Sequence, residues 1–243
     1  RDKYDLSSLT DIAAGGAPRP ISHVERLTKE FPKAQPALGY GVTGANAVGC
    51  SNFWGNYAAK PESTGRPQKP FVELAILGAG DAHLPAGERG EIAIRSAANF
   101  ECYWEDPDAT KAAFTADGYI RTGHIGYVDE HGYLFIVDRK KDIIIRGGEN
   151  IACAEVEAEI YACPAVAEAS VFGMPDDRLG EVPVAVIYRQ EDNSLTEDEL
   201  RAFLEPRISA FKIPARFIFA DEPLPKLGTG KIDRVAIKAQ YRR

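Results

Sequence analysis

The spacing of apolar residues changes character twice along this chain, near residue 60 and near residue 138, which divides it into three segments of different class. Before the first switch, a short apolar stretch ends in the turn Gly15-Gly16-Ala17-Pro18. A helix is expected from about Pro20 to Phe31, with Ile21, Val24, Leu27 and Phe31 on one face. Proline suits its first turn, where the amide donor is orphaned anyway. Ala37–Tyr40 reads as a strand feeding the loop GYGVTG. From about Pro61 to Asp138 the pattern is short strands and turns. Phe71–Leu77 and Glu91–Ser96 come first, then GYIRTG and HIGYVDEHGYLFIVD, a hairpin turning at Asp129–Gly132. That segment reads as a small barrel or curled sheet.

After Asp138 strands and helices alternate again. Ile143–Ile145 leads into the turn RGGEN, and a helix is expected over about Ala154–Tyr161, stopped by Pro164. Strands are expected at 166–172 and 182–188. Thr196 and Glu199 form a capping box for a helix whose Leu200, Phe203, Leu204 and Ile208 share a face. The strand RFIFA, the loop LPKLGTGKIDR and a short terminal helix complete what looks like a separate α/β domain.

At 44% hydrophobic and 27% charged residues, the composition is that of a globular protein. A formal net charge of −7 without a basic patch makes nucleic acid an unexpected partner. No apolar run is long enough for a transmembrane segment. Cys50, Cys102, Cys153 and Cys163 form no CxxC pair, and His23, His83, His124 and His131 lack ligand spacing. The expectation is free thiols in a reducing, cytoplasmic compartment and no metal-ligand cluster. The chain opens on Arg1 and its only methionine is Met174, so a piece of a longer polypeptide is expected.

Three glycine-rich blocks are candidates for chemistry. In PKLGTGKIDR, Gly228 and Gly230 free the backbone to present Lys231 at a loop tip, where a point charge suits a phosphate or carboxylate. In IIIRGGENI, Gly147 and Gly148 allow close approach of a backbone or a thin ligand. In GYGVTG, the glycines around Tyr40 let its ring lie exposed against a base, with Thr43 as a donor to a phosphate oxygen. Each block by itself reads better as an ordinary surface turn, and the charged run Asp138–Asp142 as a solvated linker or a hinge. STGRPQK lacks phosphate-loop spacing and precedes a β pattern.

Taken in order, GGAP, GYGVTG, GYIRTGHIG, DRKKDIIIRGGENI and PKLGTGKIDR resemble the adenylate-forming acyl-CoA synthetase superfamily, especially fatty-acyl and aryl acyl-CoA ligases. The resemblance runs through nearly the whole chain. It implies ATP-dependent activation of a small-molecule carboxylic acid to an acyl-AMP, followed by transfer to coenzyme A, with Mg2+ assisting. It implies residues 1–57 as the end of a large α/β subdomain and 58–138 as a β-barrel-like subdomain. Residues 139–243 would be a small mobile C-terminal α/β domain, hinged near 139–142. Gly16, Ala17, Pro18, Gly39 and Tyr40 would line the adenine, Thr43 would reach the α-phosphate, and His124 would stand at the ribose. Arg139 would contact the ribose and phosphate, Lys141 would be the hinge, and Gly147 and Gly148 would border the pantetheine passage. Lys231 would be the adenylation lysine.

The sequence departs from that pattern in three places. The Gly/Ser/Thr-rich phosphate loop, expected upstream of residue 1, is not in the sequence. The family's TGD is TGH here, with His124 in place of a carboxylate that accepts from two hydroxyls at once. After Thr43 stands Gly44 where a glutamate that helps to place magnesium is usual. These departures raise the alternative of a catalytically degenerate relative that binds nucleotide or acyl-CoA.

Overall fold

The computed structural model describes residues 4–16, 19, 21–191 and 193–241. The chain forms two compact units, Arg1–Val137 and Asp138–Arg243. Among the described residues no helix is long and apolar enough to cross a membrane.

The first unit begins with a β-α-β crossover. Strand β1 (Asp11–Gly15), helix α1 (Ile21–Glu30) and strand β2 (Gln35–Tyr40) place β1 and β2 in parallel, with Gly15 opposite Gly39. Strand β3 (Cys50–Phe53) adds antiparallel to β2; helix α2 (Trp54–Ala59) and strand β4 (Arg66–Pro67) follow, giving the order β1-β2-β3-β4. Helix α1 uses a narrower face than its sequence predicts. Val24 is buried against Leu38 and Tyr57, whereas Ile21, at the first position of the helix, remains 46% exposed.

A second sheet follows, the last strand of which runs two residues past Val137. It comprises β5 (Val72–Leu77), β6 (Gly90–Ser96), β7 (Ile120–Val128) and β8 (Leu134–Arg139), with helix α3 (Pro107–Ala113) between β6 and β7. The sequence predicts a small barrel or a curled sheet here; the described strands form an open four-stranded sheet, not a closed barrel. One face is filled by Val72, Ile92, Ile94, Ile120 and Leu134, together with Tyr40 and Ala45 from the preceding segment. On the other face Ala75, Leu77, Ala93 and Tyr119 form a smaller buried cluster, so the two-residue period sorts side chains between two packed faces.

The second unit is one five-stranded sheet covered on both faces. Strands β9 (Ile144–Arg146) and β10 (Glu149–Ile151) form a hairpin, followed by helix α4 (Cys153–Tyr161). The long antiparallel pair β11 (Val166–Asp176) and β12 (Gly180–Arg189) comes next, then helix α5 (Glu197–Leu204), strand β13 (Arg216–Ala220) parallel to β12, and helix α6 (Arg234–Tyr241). Side chains sort by the two-residue period of a strand. Ala169, Val171, Ala185, Ile187 and Phe217 meet α4 and α5 on one face. Phe172, Val184, Val186 and Ile218 meet Ile237 of α6 on the other. Burial on both faces accounts for the unbroken apolar run from Val182 to Tyr188. The Thr196–Glu199 capping box forms as the sequence predicts: the Glu199 carboxylate accepts from Thr196 N at 2.8 Å, and the Thr196 hydroxyl accepts from Glu199 N.

Candidate functional site

Each unit carries its own share of the candidate residues. In the first, Gly16, Gly39 and Tyr40 gather at the C-terminal edge of the parallel pair β1 and β2, where open α/β sheets bind ligands. Ala17 and Pro18 lie outside the described residues. Thr43 opens a short 3-10 turn, Thr43–Ala45, immediately beyond.

The structure corrects the expectation that Tyr40 lies exposed. Its ring is buried within the core of the first unit, and burial holds its phenol well above the usual range. Its neighbouring glycine has a packing reason, since a Cβ on Gly41 would stand 2.2 Å from the Ala47 carbonyl oxygen. What Tyr40 does present is its hydroxyl, hydrogen-bonded to Nδ1 of His124 at 3.2 Å, with the two rings edge to face.

His124 reaches Tyr40 because β7 bulges. Glu91 pairs with Ile125 and Ala93 with Arg121, so Thr122, Gly123 and His124 together face Ile92 alone. Gly123 takes a left-handed φ of 70°, the Thr122 hydroxyl donates to Ile92 O at 2.7 Å, and Gly123 N donates to Glu91. Bulges of this kind re-aim a side chain beside a functional edge. The sequence block GYIRTGHIG marks that irregularity. Gly44 is equally constrained: a side chain there would start 3.1 Å from the Phe100 ring, which packs over it. Among the described residues no group of three or more His, Cys, Asp or Glu is placed to hold a metal ion. The Thr43-Gly44 position offers no carboxylate to magnesium and little room for one.

In the second unit, Arg139 ends β8 with an exposed side chain, and Lys141 sits in the 3-10 turn Lys140–Asp142. Gly147 and Gly148 are the two turn residues between β9 and β10, with φ of 58° and 90°. A two-residue hairpin with both central residues in the left-handed region needs such glycines irrespective of any ligand. Lys231 is exposed on a loop closed by a bond from Leu227 N to Lys231 O at 2.8 Å, beside the pairing of Lys226 with Ile232.

A feature not singled out in the sequence is a buried charge cluster behind the 138–142 segment. Asp138 accepts from Arg139 N at 2.7 Å and from Ala154 N at 3.1 Å, so it caps α4. The Cys153 thiol donates to Asp142 O. Arg234 pairs with Glu157 and lies 3.6 Å from Asp142. Lys141, Asp142, Cys153, Arg234 and Lys238 line one cleft of about 310 Å³, which brings the predicted hinge lysine and Arg234 together. The sequence signals were the charged run Asp138–Asp142 and Arg234 standing three positions after Lys231.

Three carboxylates around one guanidinium leave an excess of buried negative charge. Burial pushes the Glu157 carboxyl up to about 7, with Asp138 and Asp142 adding to the rise and Arg234 opposing it. Burial raises Asp138 as well. Glu157 therefore binds more proton folded than unfolded between about pH 4.5 and 7. Its contribution to stability is full below that window and is lost as pH rises through it. Urea unfolding at about pH 5 and about pH 7 should show the parent losing more stability on the rise than Glu157→Gln. Equal losses would contradict the assignment.

The model of the AMP-binding enzyme family matches residues 1–104, and that of the AMP-binding enzyme C-terminal domain matches 155–231. A feruloyl-CoA synthase of Amycolatopsis sp is 39% identical over 98% of this chain and 47% of its own length. The long-chain-fatty-acid–CoA ligase FadD13 of Mycobacterium tuberculosis is 36% identical over 98% and 46% respectively. Among solved structures, the o-succinylbenzoate CoA synthetase of Bacillus subtilis, in complex with its acyl-adenylate intermediate, superposes with a TM-score of 0.84 at 32% identity. That match covers 94% of this chain and 46% of that one. The chain spans about half the length of the curated relatives it matches. With both family models matched and acyl-CoA ligases among its relatives, the chain belongs to the AMP-binding, adenylate-forming enzyme family.

Proposed function

We propose that this chain supplies the C-terminal part of an ATP-dependent acid–thiol ligase. In the first step a carboxylate oxygen attacks the α-phosphorus of ATP, the bond to the β-phosphate oxygen breaks and pyrophosphate leaves. In the second, the thiol of coenzyme A attacks the acyl carbon and AMP departs, the thiol proton passing to solvent. The observation that carries this reading is Lys231, exposed at the closing position of a two-glycine turn.

In the first step the Lys231 ammonium bridges the attacking carboxylate and the α-phosphate, offsetting charge that grows in the transition state. Gly16 and Gly39, at the edge of β1 and β2, flank the adenine beside Tyr40, and Thr43 donates to the α-phosphate. Arg139 meets the ribose and phosphate, and the 139–142 segment is the hinge between the half-reactions, turning at Lys141. The hairpin tip Gly147-Gly148 borders the pantetheine passage. The named relatives act on aryl and long-chain fatty acids, so the acid here is drawn from those classes. Magnesium would meet the phosphates of ATP, and the Thr43-Gly44 position offers it no carboxylate.

A second reading, a nucleotide-binding relative without turnover, is favoured by two positions: His124 and the packed Gly44 replace two carboxylates of the family pattern. Titration calorimetry with AMP, ATP and coenzyme A separates the two. Binding without acid-dependent turnover supports the second reading; turnover removes it.

The ribose contact has its own test. Nδ1 of His124 is committed to Tyr40, whereas aspartate can take that bond and still accept from a ribose hydroxyl. His124→Asp is expected to tighten AMP binding by about 1–3 kcal/mol. Unchanged or weaker binding would show that position 124 does not face the ribose.

A further inference from the structure

The loop that presents Lys231 is held at both feet by carboxylates from elements far away in sequence. At the outgoing foot, Arg234 is tied to Glu157, whose other oxygen accepts from Val171 N at 2.8 Å. At the incoming foot stands Glu168 of β11, beside a register irregularity between Val166 and Glu168. Its side chain is 18% exposed and both oxygens are used. One accepts from Leu224 N at 2.8 Å and the other pairs with Nζ of Lys226 at 2.5 Å. Between the feet the loop bonds mainly to itself, with Asp233 N donating to Pro225 O, and Gly228–Lys231 are exposed. The direction of the lysine is therefore set where the loop leaves the sheet.

We propose that Glu168 is a positioning residue for Lys231: it touches no reacting group, but fixes the incoming leg of the loop so that the ammonium meets the developing charge. The proposal rests on the assignment of Lys231 to adenylation. A misplacement of about 1 Å far from the chemistry can cost on the order of 10²-fold in rate. The effect should fall on one half-reaction only, because the thioester step does not use that lysine.

The test uses the complete polypeptide containing this chain, with Glu168→Gln, Glu168→Ala, Lys231→Ala and the Glu168→Ala/Lys231→Ala double variant. Acid-dependent pyrophosphate release and thioester formation from supplied acyl-adenylate are measured separately. Glu168→Ala should slow pyrophosphate release by about 10²-fold. Glu168→Gln, which keeps an acceptor for Leu224 N but loses the charge facing Lys226, should slow it by about tenfold. Both should form thioester at the parent rate, and the double variant should be no slower than Lys231→Ala alone. Equal slowing of both half-reactions, or additive losses in the double variant, would mean that Glu168 serves general stability and would overturn the proposal. Should Glu168→Ala fail to fold, Glu168→Gln decides: an unchanged pyrophosphate rate overturns it. A slow Lys231→Ala beside normal Glu168 variants removes the proposal alone, whereas a normal Lys231→Ala removes the lysine assignment and the proposal with it.

Discussion

Replacing Lys231 by alanine is expected to slow acid-dependent pyrophosphate release by about 10²–10³-fold, the cost of losing one donor aimed at developing negative charge. The fold should be untouched. Lys231 is exposed, and the bonds that close its loop run through backbone atoms, from Leu227 N to Lys231 O and from Gly230 N to Leu227 O. The neighbouring α6 is anchored independently by the fully buried Ile237, a contact worth about 1.5–3 kcal/mol. An arginine at 231 would keep charge but not the compact ammonium, so Lys231→Arg should recover only part of the rate. Rates measured at saturating ATP and acid, alongside an unchanged melting temperature, check this. An alanine variant with the parent rate would show that the lysine takes no part in the chemistry.

The second large effect is on stability. Arg234→Ala removes the cation at the centre of Glu157, Asp142 and Asp138 and leaves buried carboxylates facing one another. Breaking such a pair from one side typically costs about 3–5 kcal/mol, whereas replacing both partners by apolar groups of similar size is close to neutral. Arg234→Ala should therefore lower the urea midpoint of the second unit sharply. The double variant Arg234→Met/Glu157→Met should regain much of that loss. Arg234→Lys should fall between, because an ammonium lacks the fork that reaches Glu157 and Asp142 together. A single alanine variant as stable as the parent would mean that the cluster carries no net energy.

Local pattern made much of the fold legible. The strands at 166–172 and 182–188, the capping box at Thr196 and the tight turn at Gly147-Gly148 each follow from a few neighbouring residues, and each is present. Burial of Tyr40 was not legible, because it depends on packing against Cys50, Val72 and Ile120 from other strands. Helices α2 and α3 escaped notice for a related reason: each is only one to two turns long, and a residue such as Asp106 capping Ala109 N is weak evidence without its context. The open four-stranded sheet in place of a barrel is likewise a matter of how strands close in space. Lys231 announced itself through two glycines, yet the carboxylates around its loop come from α4 and β11, 56 to 77 residues from the groups they hold. Periodicity carries no information about such pairs.

The central claim is most directly tested by pyrophosphate release from the complete polypeptide, supplied with ATP and panels of aryl and long-chain fatty acids, with and without coenzyme A. Release that requires a carboxylic acid, accompanied by acyl-adenylate and then by thioester once coenzyme A is added, is the predicted result. Binding of ATP and AMP with no acid-dependent pyrophosphate release for either class of acid would contradict it.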